Sequence, residues 1–156
     1  MRYLISSVMV LGCLAFSSCL KTEEVPTFEE QLAKDIEAID AYLAARSITA
    51  IQHESGLRYV VTEAGTGPKP TLASSVRVTY KGTFLSNGQV FDQSSSPITF
   101  PLNGLITGWQ IAFPLLEEGT KATLYIPSGY CYGPGGTNGI PGNANLIFEI
   151  ELLDVI

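Results

Sequence analysis

The chain has 156 residues, of which 46% are hydrophobic, enough for one domain with a real core and appendages. Fifteen acidic residues against nine basic ones give a net charge of −6, with no basic stripe to neutralise phosphates, which argues against a nucleic-acid partner. Three cysteines without zinc-ligand spacing and a single histidine, His53, leave no set of side chains for a metal centre.

The first residues read as a leader rather than as fold. Met1-Arg2 is a positive start, Leu4 to Phe16 is an apolar run too short to span a bilayer, and Ser17-Ser18-Cys19 follows before charge begins at Lys21. This layout predicts a signal peptide over 1–18, resembling a bacterial lipobox in which Cys19 is acylated and becomes the mature N-terminus. Val10-Leu11-Gly12-Cys13 is a rival box but leaves a very short apolar region before it. Cleavage at Cys19 removes one basic residue, Arg2, and no acid, so the mature chain is more acidic still. It retains one unmodified cysteine, Cys131, and therefore no intrachain disulfide.

Residues 19–55 form a lipidated tether and an acidic arm. Leu20 to Pro26 is short and polar. Thr27 with Glu30 three residues on forms a capping box, and Phe28, Leu32, Ile36, Ile39 and Leu43 recur at helical spacing as one apolar stripe. The helix is expected to end near Arg46. Its stripe must bury either against the domain or against a second copy, the latter giving a homodimer through residues 28–43. His53 reads as a surface residue in the linker.

From residue 56 to 156 the pattern is mainly β. Leu57 to Thr62 is a strand. Gly65 to Pro70 is a loop by composition, and Val76, Val78 and Tyr80 form one buried face of the next strand. Asn87-Gly88 closes a hairpin between 82–85 and 89–91. Ser94 to Pro97 reads as a loop, and Ile98 to Phe100 as a short extended piece. Ile106 to Glu118 is the one helix candidate of this half, shortened by Pro114 and stopped by Gly119. Thr120 to Ile126 and Asn145 to Leu153 are strands, separated by a long loop rich in Gly, Pro and Asn, of the kind that is usually functional. About five strands and one short helix make an α+β fold: a curved antiparallel β half-barrel wrapped over the helix that holds Trp109, preceded by an N-terminal helix.

No nucleophile–base pair, phosphate-cradling glycine loop or paired carboxylates stand out. What converges is apolar: Tyr80, Phe91, Ile106, Trp109, Tyr132, Ile140 and Phe148, with Asp92 the one acid among them. The set reads either as core packing or as an aromatic pocket for an apolar group, needing no cofactor.

Six motifs then occur in order: Val76-Arg77-Val78-Thr79-Tyr80-Lys81-Gly82, Gly88-Gln89-Val90-Phe91-Asp92, Leu105-Ile106-Thr107-Gly108-Trp109, Tyr132-Gly133, Ile140-Pro141, and Leu146-Ile147-Phe148-Glu149-Ile150-Glu151-Leu152. In order and spacing they resemble the FKBP-type peptidyl-prolyl isomerases, and Ser55-Gly56-Leu57-Arg58-Tyr59 resembles bacterial extracytoplasmic members of that family. The resemblance implies isomerase activity on X–Pro bonds, with Asp92, Tyr132, Phe91 and Trp109 as catalytic residues. Tyr80, Leu105, Ile106, Ile140 and Phe148 complete the substrate-binding walls, and Trp109 is the floor. It also implies proline-containing exported polypeptides as substrates and, with Cys19, an extracytoplasmic location, lipid-anchored to a bacterial membrane, most simply the outer membrane. Three departures stand out: Gly139 occupies a position that is often aliphatic and closes the pocket roof, Ile98 replaces a common aromatic, and Ser94 to Ser96 lacks a basic partner for the aspartate. The alternative function is a module that binds hydrophobic segments, chaperone-like, with little turnover. Every pocket motif lies after residue 55, so the arm is expected to be dispensable for the pocket.

Overall fold

The computed structural model describes residues 25–156. The leader, Cys19 and the start of the tether lie outside the described residues.

One six-stranded antiparallel sheet, in the order β1-β2-β5-β6-β3-β4, organises the chain. The strands are β1 (Ile51–Gln52), β2 (Arg58–Glu63), β3 (Ser75–Phe84), β4 (Val90–Pro101), β5 (Lys121–Ile126) and β6 (Leu146–Val155). Helix α1 covers Phe28–Ala45 and helix α2 covers Thr107–Ala112. The expected half-barrel is present, with β1 as a sixth strand of two residues, too short to show a period in the sequence.

Alternation along the central strands gives the sheet two apolar faces. On the inner face Val76, Val78, Leu124, Ile126, Phe148, Ile150 and Leu152 pack on Trp109, Ala112 and Phe113 from α2 and the 3₁₀ turn Phe113–Leu115 that continues it. Pro114 lies in the first positions of that turn, where its missing N–H costs nothing, and α2 ends after six residues. On the outer face Leu85, Tyr125 and Ile147 pack on Ile39 and Leu43 of α1.

The capping box at Thr27 is formed in both directions: Glu30 N–H donates to the Thr27 hydroxyl at 3.2 Å and Thr27 N–H donates to the Glu30 carboxylate at 2.8 Å. The stripe that follows faces the domain, with Ile39 and Leu43 buried and Phe28 still half exposed. Phe28 meets the Tyr130 ring edge-on at a centroid distance of 5.6 Å. Leu32 and Ile36 lie over Gly56, where a Cβ would stand 2.6 Å from Ile36 Cδ1 and where φ is +93°. A side chain at position 56 would therefore be both strained and in the way of the helix. Arg58, itself buried, donates from Nε and Nη2 to Asp40 at 2.9 and 3.1 Å and from Nη1 to the Gly56 carbonyl at 2.9 Å.

Of the two burial partners left open for the stripe, the domain is the one observed: from Thr27 onward the arm packs on it. A dimer through residues 28–43 would compete with this docking, because Ile39 and Leu43 are already buried against the sheet. One expectation is corrected: Ser94 to Pro97 is not a loop. Strand β4 runs through it, with a register shift between Val78↔Ile98 and Tyr80↔Ser94 that absorbs the extra residues. Pro97 is tolerated because β4 is an edge strand and a missing N–H there leaves no ladder partner unsatisfied.

Removing the helix should therefore unfold rather than trim. Ile39, fully buried, should lose about 2–5 kcal/mol on Ile39→Ala, read as a lowered midpoint in urea unfolding. A midpoint unchanged by this substitution, or by deletion of residues 25–48, would show that α1 is an appendage after all.

Candidate functional site

The site is built where β3, β4 and α2 meet. Register decides its composition. Gly82 pairs with Asp92 but the next residue, Thr83, pairs with Val90, so Phe91 is an extra residue in β4. In a regular strand Phe91 and Asp92 would point to opposite faces. The bulge lets both turn to the same cleft. Gly82 makes room for it, since a Cβ there would lie 2.5 Å from Phe91 Cζ.

A cleft of about 190 Å³ results, lined by Tyr80, Phe91, Asp92, Phe100, Leu105, Ile106, Trp109, Tyr132 and Phe148. Its floor is the Trp109 indole, 4% exposed. The rings of Tyr80 and Phe148 stand edge-on to it at 5.5 and 5.4 Å, each with an interplanar angle of 84°, and Phe91 stands edge-on to Phe148 at 5.6 Å. Phe113 lies beneath Trp109 at 4.9 Å, tilted by 31°. Such edge-to-face contacts fix the rings beyond what area burial alone would do. The indole N–H is buried and has no hydrogen-bond partner among the described residues.

The polar groups are few. The Tyr80 hydroxyl donates to Asp92 Oδ2 at 2.6 Å. Burial, reinforced by that bond and by the charge of Asp92, pushes the Tyr80 phenol up to about 12, so it stays a donor at neutral pH. The Tyr132 phenol is also raised, first by burial, then by Cys131 and Asp92. Tyr132 is 37% exposed and stands at the mouth. Ile106 precedes α2, its carbonyl accepts from Trp109 N–H at 2.9 Å and Gln110 N–H at 3.2 Å, and no described hydrogen bond uses its own N–H. The Gln110 side chain donates to the Leu105 carbonyl at 2.7 Å and, more weakly, to that of Asn103 at 3.3 Å, which ties the 103–105 turn to the helix.

Eight of the nine residues expected to bind substrate line this cleft. Ile140 does not. It is buried in the core and borders a neighbouring, more polar groove of about 340 Å³ with Gly139, Asn138, Asp92 and Tyr132. The Gly-rich loop carries no period from which its facing could be read; Ile140 pairs with Thr137 in an isolated bridge, and its side chain is buried with the core cluster. A Cβ at Gly139 would meet nothing within 4 Å, so the space beside the cleft is open there. Phe100 and Gln110 are additions. Phe100 was detectable as the alternate neighbour of Ile98 only once the strand was seen to be continuous.

A larger depression, about 580 Å³, lies on the sheet's outer face between Thr79, Lys81, Lys121, Thr123, Glu149 and Glu151. Its charges are already paired: Lys81–Glu149 at 3.3 Å, Lys121–Glu63 at 2.9 Å and Lys121–Glu151 at 3.6 Å. These are exposed pairs of small energetic weight, and no cluster of aromatic rings lines the depression as one lines the cleft. Cys131 is half-buried, with its thiol pushed up by burial and so held protonated.

The sequence from 67 to 153, more than half of the chain, matches the family model described as FKBP-type peptidyl-prolyl cis-trans isomerase. The chain belongs to this family. Among its relatives, the isomerase FkpA of Aeromonas hydrophila is 45% identical over 105 residues, covering 65% of this chain and 39% of FkpA. Outer membrane protein MIP of Legionella longbeachae is 37% identical over 133 residues, 81% of this chain and 55% of that protein. The chain thus spans about two fifths of the FkpA relatives it matches. Of solved structures, a peptidyl-prolyl cis-trans isomerase from Pseudomonas syringae superposes with a TM-score of 0.70 at 32% identity, covering 85% of this chain and 97% of that one. FkpA from Escherichia coli gives 0.70 at 34%, covering 81% and 63%. Both superpositions extend beyond the segment that defines the family, in keeping with a domain that includes more than residues 67–153.

Proposed function

We propose that this chain accelerates cis–trans rotation about X–Pro bonds, with the aromatic cleft as the catalytic site. The observation that carries the reading is a cleft with a buried tryptophan floor, ring edges for walls and Asp92 and Tyr132 as the polar side chains at its rim, in a member of the isomerase family. The cleft is smaller than the ~300–1,000 Å³ of a drug-sized ligand site and suits one ring rather than a whole ligand.

No proton transfer is needed. Rotation about a peptide bond is slow, with a barrier of ~18–20 kcal/mol, because the planar amide is stabilised by resonance. The twisted amide has lost that resonance and with it part of its polarity. A dry, apolar cleft therefore favours it over the planar form, while the prolyl ring packs on Trp109. An acceleration of about 10⁴ requires only ~5.5 kcal/mol of such preference. The unused Ile106 N–H and the Tyr132 hydroxyl are donors for substrate carbonyls. Asp92, held by Tyr80, has a second oxygen with which to bias the twisted state.

The substrates we infer are proline-containing exported polypeptides, with the chain held outside the cytoplasm on a bacterial membrane, most simply the outer membrane, through acylated Cys19. Support comes from the leader pattern and from the name of the Legionella relative, an outer membrane protein. No described helix is long and apolar enough to cross a membrane. The open space at Gly139 supports a second reading, a module that holds hydrophobic segments with little turnover, because a missing roof lets bound peptide move.

A protease-coupled assay on an Ala-Leu-Pro-Phe peptide separates the two. The isomerase reading expects acceleration at micromolar protein, with Asp92→Leu lowering kcat/KM by about tenfold or more (~1.4 kcal/mol) and Tyr132→Phe by less, since the ring remains. Peptide binding without acceleration would favour the holding module, and loss of Tm without loss of kcat/KM in the folded Asp92→Leu protein would make Asp92 structural. For the anchor, Cys19→Ser should abolish acylation and release the protein from membranes; unchanged processing and membrane partition would remove the lipid anchor.

A further inference from the structure

Asp35 on α1 is 2% exposed and takes no part in the cleft. Its Oδ2 accepts from the Ser128 N–H at 2.8 Å and from the Ser128 hydroxyl at 2.6 Å, and its Oδ1 accepts from Gln31 Nε2 at 2.8 Å. No cation pairs with it among the described ion pairs. A buried carboxylate without a cation is costly and persists only where several donors hold it. Helix α1 has docking contacts besides this one, the Arg58–Asp40 pair and the packing of Ile39 and Leu43 on the outer face.

The contact has a specific target. Ser128 opens the turn that carries Tyr132. Its carbonyl accepts from Cys131 N–H at 3.0 Å and from Gly133 N–H at 2.9 Å, the residues on either side of Tyr132. The same turn receives a second, independent contact from α1. The Phe28 ring stands edge-on to Tyr130, and its Cε2 lies 2.6 Å from where a Cβ on Gly129 would be. The Tyr132 hydroxyl makes no described hydrogen bond, so its place at the mouth of the cleft is set by this backbone rather than by a partner of its own.

We propose that Asp35 is a positioning residue for the cleft: from α1 it fixes the 127–133 turn through Ser128, and thereby the place of Tyr132. The kinetic consequence rests on the isomerase reading above; the structural consequence does not.

The test uses the full mature chain at low temperature, with rates normalised to folded protein. Asp35→Ala should lower kcat/KM on the prolyl peptide by about tenfold, and Asp35→Asn, whose amide oxygen can still accept from Ser128, should restore most of it. In a Tyr132→Ala background the Asp35→Ala effect should shrink below about twofold, because residues acting through one another are not additive. Tyrosine-ring NMR should show the Tyr132 signals shifted or broadened by Asp35→Ala and restored by Asp35→Asn. Should Asp35→Ala not fold, Phe28→Ala carries the same measurements, its ring being 48% exposed. Equal losses with and without the Tyr132 ring, or Tyr132 signals unmoved by the substitutions, overturn the proposal. An inactive wild-type chain would instead sink the isomerase reading, and the NMR comparison would then decide on Asp35 by itself.

Discussion

The cleft depends on one irregularity, the extra residue at Phe91 where β4 pairs with β3. Without it, period-two alternation would send either Phe91 or Asp92 to solvent, and the site would lose an aromatic wall or its carboxylate. The bulge is held from both sides. Gly82 leaves space for the Phe91 ring, and the Tyr80 hydroxyl reaches across the pair to Asp92. A carboxylate beside aromatic rings is costly when unpaired, so the 2.6 Å bond does two things at once. It makes Asp92 tolerable at the cleft, and it fixes the Tyr80 ring against Trp109.

The sheet that carries this bulge has two apolar faces and needs a layer on each. Trp109 and Phe113 supply the inner layer, α1 the outer one. Successive residues on β5 and β6 serve different layers: Leu124 faces α2 and Tyr125 faces α1, while Ile147 faces α1 and Phe148 the cleft. This is why the segment 67–153 identifies the family but does not by itself bury the sheet. A force on α1 is felt on strands whose other side forms the site.

Much of this was legible in the chain, for identifiable reasons. Thr27 with Glu30 announced the start of α1, Asn87-Gly88 the β3–β4 turn, and the alternation of Val76, Val78 and Tyr80 an inward face. Phe91 and Asp92 are sequence neighbours, so their sharing one cleft requires a break in strand periodicity, which the register supplies as a bulge. What failed did so where local pattern carries no information about tertiary partners. The stripe on α1 shows that something covers it but not what. Ser94 to Pro97 has the composition of a loop, and only its place on a sheet edge lets it remain a strand. Ile140 sits in a stretch of glycines and prolines with no period to give its facing, and its side chain is buried beside the cleft rather than lining it. Phe100 was hidden by the same misreading that detached it from β4.

The central claim is that an X–Pro bond turns over with its prolyl ring on Trp109. The most direct measurement is NMR exchange spectroscopy of an Ala-Leu-Pro-Phe peptide with substoichiometric protein, combined with intermolecular NOEs in the complex. The account predicts cis–trans exchange cross-peaks that appear only with the protein, and NOEs from the proline ring protons to Trp109, Tyr80 and Phe148. Exchange without those NOEs, or proline contacts on the outer face near Lys81 and Glu149, would contradict it.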